Sequence, residues 1–216
     1  MKNDRFKKIL FLLIFIVIIF CNHIDVYAQS ALNEDSSLNE DKYYAKFLLF
    51  KPKTEDIKET ELDKFLKTNV CPGCNLEKAA LSGKKLTKAN LEGANLFAAN
   101  LSNTDLSHAN LSNADLTNAY LENSILKNAI LKGATLNNAD LQRTDLSQAD
   151  LKDAIIKWAN LTNADLSHAN LDGADLSHAN LYKADLNHTS MNGTNFSEAT
   201  WVDGKKCADN SIGHCN

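Results

Sequence analysis

Proline is almost absent from this chain of 216 residues, and its two occurrences, Pro52 and Pro72, both precede residue 75. From there to residue 201 every residue keeps its backbone N–H, so each can donate to a neighbouring segment. The sequence also lacks a basic patch with interleaved aromatic residues, and its formal net charge is −4. An acidic surface repels a nucleic-acid backbone, which argues against DNA or RNA binding by charge attraction. No nucleophile elbow, phosphate-binding glycine loop or metalloprotease motif is present, which argues against an enzyme.

What the chain has instead is a repeat of five residues. A large apolar residue, nearly always leucine, occupies every fifth position from Leu76 to Trp201, and a small residue precedes most of them by two positions. A straight α-helix turns about 140° over five residues, and a flat strand sends such residues to alternate faces, so neither gathers the leucines on one side. The pattern predicts short extended legs joined by corners, with every leucine facing inward.

The position two residues after each leucine is rich in Asn and Gly, as at Asn103, Asn113 and Gly133. These residues tolerate the left-handed backbone that tight turns require, so this position is predicted to form the corner. Lys84 stands where the repeat has a small inward residue. It predicts either an irregular first coil or a lysine stem that reaches outward past a cap.

Repeats such as Ala-Asp-Leu-Ser-His resemble the pentapeptide-repeat family, whose pattern is A(D/N)LXX. The resemblance covers residues 75–201 and implies an all-β fold, a right-handed quadrilateral parallel β-helix. Residues about twenty apart should then stack, since about four repeats make a coil. At a strand spacing of roughly 4.8 Å the coil should be about 30 Å long. The flanking segments Cys71-Pro72-Gly73-Cys74 and Trp201-Val202-Asp203-Gly204 are similar to those of exported members.

Residues 1–28 predict a signal peptide, because basic residues precede an apolar run over 9–20 and Ala28 ends a small-residue cleavage site. The run is shorter than the roughly 20 residues of a membrane-spanning helix, so no stable span is expected after cleavage. Cys21 follows the bulky Phe20, which argues against a lipoprotein. Cleavage lowers the net charge from −4 to −6, because the leader carries four basic and two acidic residues. We expect a periplasmic or secreted protein.

The remaining chain is predicted to divide into four parts. Residues 29–53 form a polar, partly disordered tether. Residues 54–70 form a capping helix with Thr54 as N-cap, which covers the first coil because an open β-helix end exposes unpaired strand groups and leucines. Residues 71–201 form the β-helix, and residues 202–216 form a C-terminal cap.

Four cysteines flank the repeats, and an exported chain retains disulfides. Cys71 and Cys74 fall on neighbouring inward positions of a first coil, where the Cβ separation suits a bond. We predict structural disulfides Cys71–Cys74 and Cys207–Cys215. A redox-active Cys-x-x-Cys is an alternative, although that motif usually opens a helix and here it follows one. A four-cysteine zinc site needs the pairs together, whereas the coil separates them by about 30 Å.

Several repeats have an aspartate directly before the leucine, and several have a histidine two residues after the leucine. Both kinds of residue recur at intervals of twenty positions. His168 and His188 should stack on one face, together with Asp145, Asp165 and Asp185. Carboxylates roughly 5 Å apart repel, which raises their pKa values or attracts a cation such as Ca²⁺ or Zn²⁺, or a basic partner. The alternative is that these are the solvated residues of a duplicated repeat, and no cofactor is predicted.

Apolar residues also occupy several outward positions, where such patches mark partner sites. Three of them fall on successive sides of one coil, which predicts a belt around it and not one flat patch. The alternatives are drift in a tolerant scaffold and contacts with the N-terminal segment. The outward apolar residues are Phe97, Tyr120, Ile125, Ile130, Ile155, Trp158 and Tyr182.

These features predict an exported, non-enzymatic scaffold that presents a rigid acidic surface to an unidentified protein partner. A second hypothesis follows from the resemblance, since some family members inhibit DNA gyrase by mimicking duplex DNA with an acidic rod. It applies only to a chain that is not exported, because gyrase is cytoplasmic. Those inhibitors typically dimerise through a C-terminal helix, whereas this chain ends in a cysteine loop. A third hypothesis, a hydrolase using the Asp and His ladder, requires turnover that His168→Ala abolishes.

Overall fold

The computed structural model describes residues 60–216. The predicted signal peptide, the predicted tether and the first part of the predicted capping helix, including Thr54, lie outside the described residues. The described part begins with one α-helix, α1, Glu61–Thr68, and continues as a coil of pentapeptides. Within residues 60–216 no helix is long and apolar enough to cross a membrane.

Each pentapeptide follows the same path. The carbonyl of Leu76, for example, accepts a hydrogen bond from the N–H of Ala79 at 3.0 Å, which closes a turn over Glu77 and Lys78. Lys78 has φ 56°, and a positive φ recurs at this position in every repeat up to Glu198. A turn with positive φ at its third residue favours Asn and Gly, which explains their frequency here. The predicted corner position is confirmed.

Parallel bridges connect residues twenty apart, such as Asn75 with Asn95 and Asn95 with Asp115. Four pentapeptides therefore make one coil with four sides, as the resemblance implied. Each side donates two backbone N–H groups to the next coil: Leu76 to the Asn95 carbonyl at 2.7 Å and Lys78 to the Phe97 carbonyl at 2.8 Å. Each side contributes one isolated bridge residue, so the described chain contains no β-strand longer than a single residue.

The repeated apolar residue lies in the interior of the coil. All centres from Leu76 to Leu181 are buried, together with nearly all the small residues beside them. Each buried leucine contributes roughly 1.5–3 kcal/mol relative to an exposed one. Where threonine replaces alanine, its hydroxyl donates to a backbone carbonyl, as Thr104 does to Leu81 at 2.9 Å. The buried hydroxyl therefore carries no desolvation penalty without a partner.

At the N-terminal end, α1 covers the interior of the first coil. Its N-cap is Thr60, which forms a capping box with Asp63, so the described helix begins after Thr60. Phe65 is fully buried in the core, and Asn69 ends the helix as expected, with φ 60°. Lys84 is exposed while its N–H keeps the regular turn bond to Leu81 at 3.1 Å. The first coil is therefore regular and the lysine points outward.

At the C-terminal end, larger side chains and a returning segment close the coil. Phe196 is fully buried and contacts Trp201 edge to face, with ring centroids 5.0 Å apart. The chain then turns back and forms antiparallel bridges from Lys206 to Thr200 and from Ile212 to Asn195. The last segment therefore pairs with the edge of the final coil on two of its sides.

Candidate partner surfaces of the coil

The register places the predicted acidic residues on one side of the coil, which we call the aspartate side. Asp145, Asp165 and Asp185 are bridged in succession. His168 and His188 stack at the adjacent corner, with ring centroids 4.8 Å apart. The complete aspartate side consists of Lys85, Asp105, Ile125, Asp145, Asp165 and Asp185. The sequence therefore predicted correctly which of these residues the fold brings into one row.

The carboxylates of this row are held by hydrogen bonds from their own chain. Asp145 accepts the Ser147 N–H at 2.9 Å, and Asp165 accepts the Ser167 N–H at 2.8 Å. At Asp105 the hydroxyl of Ser107, and then its N–H, hold the pKa below the usual value for a carboxyl group. Among residues 60–216 no three His, Cys, Asp or Glu side chains are grouped to hold a metal ion. The row has a local structural role in shaping its turns, and the predicted cation site gains no support.

The four cysteines form the two predicted pairs at opposite ends of the coil. The sulfur atoms of Cys71 and Cys74 lie at bonding distance, with Cα atoms 5.5 Å apart. Those of Cys207 and Cys215 also lie at bonding distance, with Cα atoms 4.9 Å apart. Cys71 and Cys74 are buried, as expected for inward positions. Cys71 follows α1, an arrangement that suits a structural role better than a redox motif at the start of a helix.

The outward apolar residues do not form a single patch. Tyr120, Ile125, Ile130 and Ile155 lie on four different sides, because each bridges to a different row. Phe97 is a half-buried turn residue. The six residues Phe97, Tyr120, Ile125, Ile130, Ile155 and Trp158 therefore cannot contact one flat partner together. A four-sided coil separates residues five positions apart by a corner.

One side nevertheless has three exposed aromatic residues on it or at its borders. We call it the aromatic side, and it runs through Asn100, Tyr120, Asp140, Asn160, Asn180 and Thr200. Tyr120 is 56% exposed, while Trp158 and Tyr182, 58% and 40% exposed, lie at the turns on its two borders. Trp158 stacks on His178 with ring centroids 3.8 Å apart and planes 2° apart. This stack was not predicted from the sequence, although the spacing of twenty residues indicates it.

A polar cleft of about 420 Å³ lies at the N-terminal end, between the C-terminal end of α1 and the first coil. Lys84 and Lys85 contribute exposed ammonium groups to it. This cleft was not predicted, because it depends on where α1 packs against the coil. Its lining residues are Leu66, Lys67, Thr68, Asn69, Lys84, Lys85 and Leu86.

Comparison with known proteins identifies the repeat. The family model "Pentapeptide repeats" matches eight copies, in residues 74–113, 114–153 and 159–197. No curated protein matches the chain. Solved structures that are similar include a pentapeptide repeat protein from the thylakoid lumen of Arabidopsis thaliana, 28% identical, covering 54% of this chain and 83% of that one, with a TM-score of 0.37.

Two further structures show the range of the similarity. Rfr23 from the cyanobacterium Cyanothece 51142 is 29% identical over 60% of this chain and 95% of its own, with a TM-score of 0.30. QnrB1, a plasmid-mediated fluoroquinolone resistance protein, is 17% identical over 60% of this chain and 80% of its own, with a TM-score of 0.29. Proteins with these repeats form right-handed β-helices and generally act as structural or protein-binding scaffolds. On the family match over most of its coil, this chain belongs to the pentapeptide-repeat family.

Proposed function

We propose that this chain is an exported, non-enzymatic scaffold that binds a partner protein through the aromatic side of its coil, in the cell envelope or outside the cell. The observation that carries the proposal is the exposure of Tyr120, Trp158 and Tyr182 around one side, while the leucines of the repeat are buried. Tyrosine and tryptophan contribute much of the binding energy in protein interfaces, because they bury a large area at a small entropic cost.

The coil holds this surface in a fixed shape. The N–H of Tyr120 donates to Ala99 at 3.0 Å, and its carbonyl accepts from Leu101 at 2.8 Å. Asn160 and Asn180, on the same side, are tied into the coil by equivalent bonds. A surface that is ordered before binding loses less conformational entropy when a partner docks.

The serine residues of the repeat support a scaffold and not a hydrolase. The hydroxyls of Ser107 and Ser147 each donate to the aspartate two residues earlier, at 2.6 Å in both cases. They occupy equivalent positions in the repeat, so neither is distinguished as a nucleophile. An activated serine requires an adjacent base that is itself oriented by a third group.

The cysteine pairs support export. Disulfides persist in oxidising compartments and are rare in the cytosol. The intact mass of the natively expressed protein tests this part of the proposal, before and after reduction and thiol alkylation. We expect a chain that starts at Gln29 and takes up no alkylating reagent until it is reduced. An uncleaved chain with free thiols contradicts export.

The partner surface is tested separately. A photo-crosslinking amino acid at position 120 should capture a partner in intact cells, and the same group at Lys132, which is exposed on another part of the coil, should not. Equal capture from both positions contradicts a site on the aromatic side. Loss of capture when Trp158→Ala is added to the position-120 variant is also expected.

The second hypothesis is a DNA-mimic inhibitor of an enzyme such as gyrase, and the row of Asp145, Asp165 and Asp185 is the observation that favours it. It applies if the mass measurement finds a retained leader and free thiols. Inhibition of DNA supercoiling by purified gyrase, relieved by exchanging these aspartates for asparagine, is then the expected result.

A further inference from the structure

Two sides of the final coil have backbone groups that find no hydrogen-bond partner among residues 60–216. In the coil below, the N–H groups of Leu166 and His168 donate to the carbonyls of Asp185 and Asn187 at 2.8 and 2.9 Å. The equivalent groups one coil later, the N–H of Leu186 and of His188, have no acceptor among the described residues.

The next side repeats this arrangement. Leu171 and Gly173 donate to Ser190 and Asn192 at 2.7 and 2.9 Å, whereas the N–H groups one coil later have no acceptor in residues 60–216. The carbonyls of Ala184 and Thr189 likewise accept no bond there. We call this the open edge, and its free groups are the N–H of Leu186, His188, Met191 and Gly193 and the carbonyls of Ala184 and Thr189.

The free groups define what can bind to them. On each lower side, one residue of the next coil uses both its N–H and its carbonyl: Asp185 donates to Ala164 at 2.9 Å and accepts from Leu166. Only an extended backbone supplies a donor and an acceptor on one residue in this way. The chain's own C-terminal segment pairs with the two neighbouring sides in the antiparallel form, in which donor and acceptor come from two residues. On one side Gly213 donates to Thr194 at 2.7 Å and Phe196 donates to Ser211 at 2.8 Å, and on the other Cys207 donates to Ala199 at 2.9 Å.

The side chains around the open edge indicate the charge of the segment that fits. Leu186 and Met191 are only partly buried there and offer apolar contacts. Residues 165–193 contain four aspartates and a single lysine, Lys183. Asp165 and Asp185 form no ion pair among the described residues, so they can attract a cationic side chain.

We propose that the open edge binds an extended, basic segment of a partner protein by backbone pairing. A second copy of this chain fits less well. Two such edges facing each other would juxtapose their aspartates, and at the opposite end of the coil α1 and Phe65 cover the interior. The proposal goes beyond the scaffold function, since it concerns the end of the coil and holds whether or not the chain is exported.

Amide-resolved NMR of the full, oxidised chain tests it. The probe is an acetylated, amidated peptide of alternating lysine and valine. We expect it to shift the amides of Leu186, His188, Met191 and Gly193 and to slow their hydrogen exchange about tenfold at nine-tenths occupancy. The amide of Leu166, which is already bonded, should not change. Two control peptides, one with glutamate for lysine and one with a methylated backbone, should bind at least about tenfold more weakly, since they lack the charge or the donors.

Variants separate the edge from the rest of the surface. Met191→Lys places a charge at the edge and should abolish peptide binding, whereas Ile125→Lys makes the same kind of change on the middle of the aspartate side and should not. Asp185→Asn, which keeps the turn acceptor for Asn187, should weaken binding severalfold at low salt. Equal binding of any control peptide overturns the proposal, as does unchanged binding to Met191→Lys. Protection of these amides that rises with protein concentration alone also overturns it, because a second copy then covers the edge.

Discussion

The two ends of the coil solve the same problem in different ways. Each must cover buried leucines and an edge of unpaired backbone groups. At the N-terminal end a helix covers the interior, with Phe65 buried and the Glu61 carboxylate accepting the N–H of Asn75. At the C-terminal end the chain turns back and pairs with the edge itself, behind Phe196. A helix protects the core without completing the edge, whereas a returning segment completes the edge on the sides that it reaches.

The ends also differ in charge. Lys78, Lys84, Lys85 and Lys88 surround the first coil, whereas the last coils carry an excess of aspartate. The net charge of the whole chain hides this difference. A partner that approaches along the axis therefore meets more lysine at one end and more aspartate at the other.

The largest expected effect on stability comes from truncating the buried phenylalanine at either end of the coil. Phe65→Ala and Phe196→Ala should each cost about 3–5 kcal/mol in the free energy of unfolding, because each leaves a cavity in a fully buried site. Urea denaturation measures this. Leu66→Ala, on the exposed face of α1, is the control and should cost far less. If Phe65→Ala behaves like Leu66→Ala, α1 does not hold the N-terminal end together.

The second largest effect is expected from the disulfides, which should differ in how much each stabilises the fold. Cys207 and Cys215 are separated by 8 positions and Cys71 and Cys74 by 3, so the longer loop restricts the unfolded chain more. Replacing the C-terminal pair by alanine should cost about 2.5 kcal/mol, and replacing the N-terminal pair roughly 1 kcal/mol less. Denaturation of the two double variants under the same conditions decides the order. The reverse order indicates that packing of the buried N-terminal sulfurs outweighs chain entropy.

The capping box of α1 should contribute less to the free energy of unfolding than either disulfide. Thr60→Ala removes the acceptor of the Asp63 N–H and should cost about 1 kcal/mol, whereas Thr60→Ser keeps a hydroxyl and should cost little. Hydrogen exchange in the first coil reports whether the loss is confined to this end. Faster exchange in the last coil as well indicates that the ends unfold together.

The smallest expected effect is the response to acid. Hydrogen bonds from Ser107 lower the pKa of Asp105 near the N-terminal end, and hydrogen bonds from Ser190 and Asn192 lower that of Asp172 near the C-terminal end. A carboxylate with a lowered pKa stabilises the fold fully above its unfolded pKa of about 3.9 and loses this contribution as the pH falls through the folded pKa. Asp105→Asn and Asp172→Asn should therefore each reduce the loss of stability on acidification.

Unfolding midpoints at a neutral and several acidic pH values measure this response. The control is Asp153→Asn, at an exposed turn position. If the slope of stability against pH is the same in all three variants and in the natural chain, these hydrogen bonds do not contribute to acid sensitivity.

The start of α1 shows a limit of predicting helix boundaries from local sequence signals. Thr54 and Thr60 are both followed by acidic residues, so each has the form of an N-cap. The described helix begins after Thr60 and buries Phe65 against the first coil, whereas Thr54 lies outside the described residues and its role stays a prediction. The stack of Trp158 on His178 was not predicted, for a different physical reason. The spacing of twenty residues places Trp158 and His178 at one corner, but an indole and an imidazole differ in chemical class, so the repeat pattern does not pair them.

The sequence by itself determined the coil. A five-residue period with a leucine centre admits no helix or flat strand, and the small inward residues and the left-handed corners follow from that repeat. The stacking of residues twenty apart was implied by the resemblance to the pentapeptide-repeat family, and the cysteine pairs were predicted from export and from their positions beside the repeats. The tertiary structure decided what happens where the repeat stops. Which sides of the final coil the C-terminal segment pairs with, and which it leaves open, depends on a chain reversal at Gly204, after which the segment forms the antiparallel bridges found in residues 60–216. A repeat shows the same residue pattern in many copies, so the pattern can be recognised in the sequence. An end of the coil occurs once, and its structure depends on long-range contacts.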